Sequence, residues 1–236
     1  MNLDNFLLEN KDLTVKIRSD AQILKLFLLI SNGWHLKKNN KKEFKPDCIL
    51  ELNNKKFNLK SNLFSRFKNK SHYDLVSILN EFLIFLSYFY CSKLNNYILI
   101  HCCGYQQNNQ NYILFANHKV GKSEFCAKKL FDKSVLLADD LVLYNKKNAE
   151  FKSLGFSIRL RRPIKKHLID IINKNNFISG KKYSYISSKS INIKKCGEIF
   201  HADNFFILSK LQKLKNILIS DYFKLLNKNQ INIYKF

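Results

Sequence analysis

Apolar positions recur along the chain with two periods, and each change of period marks an element. Leu13 to Ile17 alternates as a strand does, and Gln22 to Ile30 is apolar enough for a strand or a short helix. The polar run KKNNKK, Lys37 to Lys42, predicts a loop. Cys48 to Leu52 and Lys56 to Leu59 alternate on either side of Asn53-Asn54, which predicts a hairpin. From Tyr73 to Leu94 apolar residues fall at 75, 76, 79, 82, 83, 86, 89 and 90. That is the spacing of a helix with a wide, largely buried apolar face.

Shorter elements follow in close order. Tyr97 to Cys102 predicts a buried strand, residues 105–111 (YQQNNQN) a polar turn, and Tyr112 to Ala116 a second strand. A loop over 116–121 leads into a helix over Lys122 to Leu130. Ser134 to Ala138 predicts a third strand, ending on Asp139-Asp140, with Leu141 to Tyr144 extended and Asn145 to Asn148 turning the chain. Pro163 suits the first turn of a helix over Ile164 to Ile172. Extended pieces near 183–193 and 204–208 and a helix from Leu211 to Leu226 complete the pattern. With no repeat and no Pro/Gly/Ser linker, the 236 residues predict a single α/β domain around a mixed central sheet. Residues 1–95 would give N-terminal strands and a helix, 96–165 a core, and 166–236 a C-terminal part.

Composition narrows the classes. Hydrophobic residues make up 46% and aromatics 14%, enough for a packed core and against disorder. The formal charge of +23 invites a nucleic-acid partner. However, 36 Lys and 29 Asn against 5 Arg, with Lys spread over the whole chain, is the composition an AT-rich genome writes into all its proteins. Nucleic acid is therefore not expected as the partner. No apolar run reaches the ~20 residues of a membrane span; the densest is Phe82 to Cys91. The N-terminus carries early acids and no basic segment, a poor signal peptide. A cytoplasmic protein with no membrane partner is expected. The six cysteines form no C-x-x-C and the histidines do not cluster near them, so they read as buried small apolar residues.

Candidate chemistry concentrates between residues 101 and 162. In FANHKVGKSEF, Val120-Gly121-Lys122-Ser123 ends like a phosphate-binding loop, between an apolar strand and an amphipathic helix. Such a curl aims backbone N–H groups at phosphate, its lysine reaches the β- and γ-phosphates, and its serine holds Mg²⁺. Ala116 stands where that loop has its first glycine, tolerable while φ stays negative. Asp139-Asp140 at a strand end is costly to bury without a cation. One carboxylate would face a metal and the other take a proton. His101 ends the preceding strand. If these three strands are neighbours that end on one edge, His101, the loop and Asp139 meet. Three of the five arginines, Arg159, Arg161 and Arg162, fall within SIRLRRP. In an extended stretch Arg159 and Arg161 share a face that suits phosphate.

The run from Ile100 to Tyr144, IHCCGY…YILFANHKVGKSEFCAKKL…SVLLADDLVLY, resembles the HPr serine kinase/phosphorylase family and its short relatives. Its motifs follow that family's H-G…G-x-x-x-x-G-K-S-E…A-D-D-x-V series in order. The resemblance covers about 45 residues and extends weakly to Leu154–Pro163. It implies a phosphoenolpyruvate-carboxykinase-like P-loop fold and an ATP- and Mg²⁺-dependent kinase acting on a serine of a protein or peptide. The phosphate-binding residues would be Ala116, Asn117, His118, Lys119, Val120, Gly121, Lys122, Ser123 and Glu124. Asp139 would be the general base, Ser123 and Asp140 the metal side, and His101 the active-site histidine. Arg159 and Arg161 would neutralise developing charge. Cys102 departs from the family's glycine after the histidine, and the E-x-R-G-x-G signature tied to phosphorylase activity and hexamers is absent. A homo-oligomer thus stays open, as do a nucleotide-binding module that has lost catalysis and a small-molecule kinase.

Overall fold

The computed structural model describes residues 3–41, 43–117, 120–130, 133–166, 168–169, 177–209 and 213–217, with 221, 224 and 230–231 beyond them. The chain is mixed α and β, with few helices and, among the described residues, four sheets rather than one central sheet.

The first sheet belongs to the N-terminal part. Its strands are β1 (Asp4–Glu9), β2 (Thr14–Ser19), β3 (His35–Lys38), β4 (Cys48–Asn53), β5 (Lys56–Lys60) and β6 (Lys70–His72), in the order β3-β1-β2-β4-β5-β6. The β4–β5 hairpin forms as expected, but its turn falls one residue later, on Asn54 and Lys55, which take the positive φ that a two-residue turn demands, while Asn53 pairs with Lys56. Gln22 to Ile30 resolves as a helix, α1 (Ala21–Leu29), capped by the Asp20 side chain on the Gln22 N–H.

The long helix is α2 (Leu75–Lys93), started by Asp74, whose carboxylate accepts from the Ser77 N–H at 3.1 Å. By length and hydropathy α2 is long and apolar enough to cross a membrane, contrary to the sequence expectation. In this fold 78% of that stretch is buried inside the protein. Phe82, Phe85 and Phe89 pack among Phe27, Phe64 and Phe67, and burying each such ring contributes about 1.5–3 kcal/mol.

Two further sheets carry the centre of the chain. One orders β10 (Val135–Ala138), β8 (Cys103–Gln107), β9 (Gln110–Phe115), β17 (Asn204–Leu208) and β18 (Leu214–Asn216). The other orders β16 (Ile199–Phe200), β12 (Glu150–Lys152), β11 (Val142–Asn145), β7 (Tyr97–Ile100) and β19 (Gln230–Ile231). A small sheet of β13 (Arg159–Arg161), β15 (Tyr183–Ile186) and β14 (Phe177–Ser179) stands beside them.

The polar stretch 105–111 is not a turn. Only Asn108 and Asn109 turn, both at positive φ, and the glutamines flanking them pair as β8 and β9. That hairpin moves β7 out of the sheet that holds β9 and β10, so the three strands expected to be neighbours are not. Two other expectations change. Leu214–Asn216 is strand rather than helix, paired with β17; the rest of the Leu211 to Leu226 expectation lies largely outside the described residues. Residues 166, 168 and 169 are helical, beginning three residues beyond Pro163, and 170–172 lie outside the description.

Candidate active site

Two of the points at which the chain passes between the two central sheets carry candidate residues. The chain passes from β7 to β8 through His101-Cys102, and from β10 to β11 through Asp139-Asp140-Leu141. The sheets share a core of Ile100, Phe115, Leu137, Val142 and Phe151, which holds the crossings together. The crossings therefore bring the imidazole and the twin acids to one seam, although their strands are not neighbours.

At the second crossing the chain turns tightly. The Leu141 N–H donates to the Asp139 carbonyl at 2.8 Å, and Asp140 sits at φ +67°. Aspartate is among the few residues that tolerate this region, and such strain persists where the surroundings impose it. A bulge between Leu136 and Ala138 shifts the register against β8 just before it. The turn sends the two carboxylates to different partners. Asp139 accepts from the Ser123 hydroxyl (2.7 Å), the Cys103 thiol (2.9 Å) and the Arg159 backbone N–H (2.9 Å). Asp140 pairs with His101 Nε2 and with the Arg159 guanidinium, each at 3.0 Å.

Their acidities separate accordingly. Asp139 is buried and beside another carboxylate, and both effects raise its pKa. Burial pushes Asp140 up as well, but the His101 hydrogen bond and the Arg159 charge outweigh it and hold it down to about 2.

The loop approaches from the other side. Ser123 and Lys122 open α3 (Lys122–Leu130), whose first bond runs from the Phe125 N–H to the Gly121 carbonyl. Gly121 has φ +100°, which only glycine adopts without strain. Ala116 is not among the residues with positive φ, and its methyl is buried with Val120 and Leu208. The loop therefore has no need of glycine there. Lys122 is buried, donating to the Ala116 carbonyl at 3.1 Å with its Nζ 3.4 Å from His101 Nδ1. An imidazole with its proton on Nε2 satisfies both Lys122 and Asp140. His118 and Lys119 lie outside the described residues, and Asn117 is exposed. Glu124 turns away to an ion pair with Lys165 at 2.6 Å.

Of the arginines, only Arg159 reaches the acids. Arg161 is exposed, and Arg162 donates to the Gly180 carbonyl at 3.4 Å. Leu160 is buried between Arg159 and Arg161, so the two share a face of the strand, but only Arg159 is covered, by Tyr183 and α2.

Sequence reasoning missed Asn80, Tyr185 and Cys103. Asn80 Oδ1 on α2 accepts from both the Arg159 guanidinium and the Tyr185 hydroxyl. The available signal was a polar residue inside an apolar helical face. A small pocket of about 20 Å³, partly open to solvent, lies between that face of α2 and the twin acids.

Among the described residues no three His, Cys, Asp or Glu side chains form a metal cage. No protein-family model matches the chain, and no curated protein matches it significantly.

Proposed function

We propose that the protein is an ATP- and Mg²⁺-dependent serine kinase on an HPr kinase-like, phosphoenolpyruvate-carboxykinase-like P-loop fold, acting on a hydroxyl of a protein or peptide. The hydrogen bond from Ser123 to Asp139 carries this reading. It joins a G-K-S helix start to twin acids and, through them, to His101 and Arg159. Those are the parts that phosphoryl transfer needs at one point: an amide-lined curl, a cation site, a proton acceptor and a fixed positive charge.

The N–H groups opening α3 and the Lys122 ammonium would take the β- and γ-phosphates. Ser123 and Asp140 are oxygen donors of the kind Mg²⁺ takes, and it needs only one or two protein ligands beside phosphate and water. Ser123 and the ionised Asp140 would hold it, and Ser123, by donating to Asp139, turns its lone pairs outward. Bound there, Mg²⁺ supplies neutralisation of phosphate charge. Asp139 is the stronger base of the two, because burial and its neighbour raise its proton affinity. The acceptor oxygen bonds to the γ-phosphorus, and the bond from that phosphorus to the β–γ bridging oxygen breaks. Its electron pair leaves with ADP, and the hydroxyl proton passes to Asp139. Arg159 stabilises the charge that develops. A module that has lost catalysis would follow from a loop spoiled by Ala116, and the Ala116 backbone gives no such ground.

The test is transfer of label from radioactive ATP to a serine-containing peptide library. Lys122→Ala should abolish binding of a fluorescent ATP analogue. Asp139→Asn should lower transfer about 100-fold or more and leave nucleotide affinity in place. Asp140→Asn should raise the Mg²⁺ requirement. A chain that binds no nucleotide at millimolar ATP would falsify the kinase reading. A Mg²⁺ requirement that moves in Asp139→Asn instead would exchange the roles of the two carboxylates.

A further inference from the structure

We infer that the small sheet beside the site carries a basic lip, built from Arg161, Arg162, Lys181 and Lys182, that docks an acidic segment of the substrate peptide. The inference rests on the kinase reading above and names a feature of its partner that the acceptor hydroxyl does not specify.

The lip is an outward extension of the site. In the antiparallel pairing of β13 with β15, Arg159 stands opposite Tyr185 and Arg161 opposite Tyr183. Opposed residues put their side chains on one face of a sheet, so these four share a face. Its inner end is covered, with Arg159 paired to Asp140 and the Tyr185 hydroxyl donating to Asn80 at 2.9 Å. Its outer end is open, with Arg161 exposed and Tyr183 half-buried. Tyr183 joins the two ends: the Arg159 guanidinium lies 5.0 Å and the Lys182 ammonium 5.8 Å from its ring centre. Arg162 ties the edge together. Its backbone N–H donates to the Lys182 carbonyl at 3.1 Å and its guanidinium to the Gly180 carbonyl at 3.4 Å.

Charge selects the guest. Over the whole chain Lys and Arg outnumber Asp and Glu by 41 to 18, but between residues 157 and 190 by nine to one. The excess here is local, beyond what a lysine-rich composition supplies. Neighbouring acids are engaged elsewhere: Glu124 with Lys165, and Asp74, beside Gly180, at the start of α2. Among the described residues no carboxylate forms an ion pair with any of the four lip cations. Two of the four are arginines, whose planar fork matches the two oxygens of a carboxylate. Arg161 lies two residues, about 7 Å of strand, beyond Arg159. An extended peptide rises at the same rate. With its serine at the twin acids, a glutamate two or three residues away on one side meets Arg161 and Lys182. Nucleic acid would offer these cations phosphate but carries no serine into the site, so a peptide is the better guest.

The test uses the full chain with a non-hydrolysable ATP analogue and Mg²⁺, and short fluorescein-labelled peptides with one central serine. Glutamates stand two and three residues before the serine in one peptide and after it in another; matched peptides carry glutamine or lysine there. By fluorescence anisotropy, one glutamate peptide should bind about five- to tenfold more tightly than its glutamine match at low salt, as two exposed ion pairs allow. Added salt should shrink that advantage. In Arg161→Glu/Lys182→Glu the preference should pass to the lysine peptide, an inversion that misfolding cannot produce. The same charge change at two distant turns, Lys55→Glu/Lys147→Glu, should keep the glutamate preference. Equal binding of glutamate and glutamine peptides, a preference unaltered in Arg161→Glu/Lys182→Glu, or its equal loss in Lys55→Glu/Lys147→Glu would overturn the lip. Tighter binding of a single-stranded oligonucleotide of equal charge, lost in Arg161→Glu/Lys182→Glu, would overturn the peptide as its guest. Label transfer from radioactive ATP to each peptide is read in parallel. Transfer without charge preference leaves the kinase reading intact and removes the lip. Charge-selective binding with neither transfer nor nucleotide binding sinks the kinase reading and leaves an acidic-peptide docking surface.

Discussion

Two residues of the phosphate-loop candidate carry opposite demands. At position 116 the loop lacks its usual glycine, yet the backbone there is not left-handed and the methyl packs on Val120 and Leu208. At position 121 the φ of +100° admits only glycine comfortably. Ala116→Gly should therefore leave nucleotide affinity unimproved and lower thermal stability slightly, through a freer unfolded chain and a lost apolar contact. Gly121→Ala should cost about 1 kcal/mol or more in stability and weaken nucleotide binding. Thermal unfolding and titration with a fluorescent ATP analogue check both. An affinity gain in Ala116→Gly would mean that the methyl obstructs the curl. The sequence alone showed which glycine was missing. It could not show the sign of φ at 116, because tertiary packing decides that.

At the scale of elements, local period was the reliable guide and neighbourhood was not. The β4–β5 hairpin, α2, β10 and α3 follow directly from apolar spacing. The β8–β9 hairpin does not, because Gln106, Gln107, Gln110 and Asn111 read as turn when they are instead satisfied by cross-strand pairing. Without it β7 looks like a neighbour of β9. The site still assembles because two crossings meet at the seam between sheets, a relation that no local pattern carries. The turn between β10 and β11 makes the consequence measurable. Folding lowers the Asp140 pKa from 3.8 to about 2, so the unfolded chain binds the proton more readily. Stability from Asp140 is then full above about pH 4 and lost as pH falls through 2. In metal-free buffer, the stability gap between wild type and Asp140→Asn should be level near neutrality and close between about pH 4 and 2. The mutation also relieves Asp139 of a like charge, so the gap is the net of two effects. A gap that widens toward acid would reverse the assigned sign.

Over the whole molecule, the N-terminal part and the later chain share one core. Phe6, Leu8, Val15 and Ile17 lie in the same buried cluster as Leu141, Leu143, Leu154, Phe156 and Tyr185. The seam is also polar. Tyr90 hydrogen-bonds Asp12, and Lys152 pairs with the same carboxylate at 3.0 Å. Gly155 lets three segments touch: its carbonyl accepts from the Asn32 N–H at 2.7 Å, and the Asn32 carbonyl accepts from the Cys196 N–H at 2.9 Å. A Cβ on Gly155 would meet the Asn32 oxygen at 2.1 Å. The only tryptophan reports on this seam. Trp34 is buried, its indole N–H donates to the Leu154 carbonyl at 3.0 Å, and its ring stacks on Phe156. Because one buried cluster draws on both parts, removing either would expose core side chains of the other to water. Trp34 fluorescence and far-UV circular dichroism should therefore give one coincident transition in urea. Gly155→Ala should shift both curves to lower urea together. If the fluorescence transition came well before the loss of secondary structure, the N-terminal part would be a separate folding unit resting on an independent core, and α2 could not rigidly wall the pocket it shares with Asp139 and Asp140.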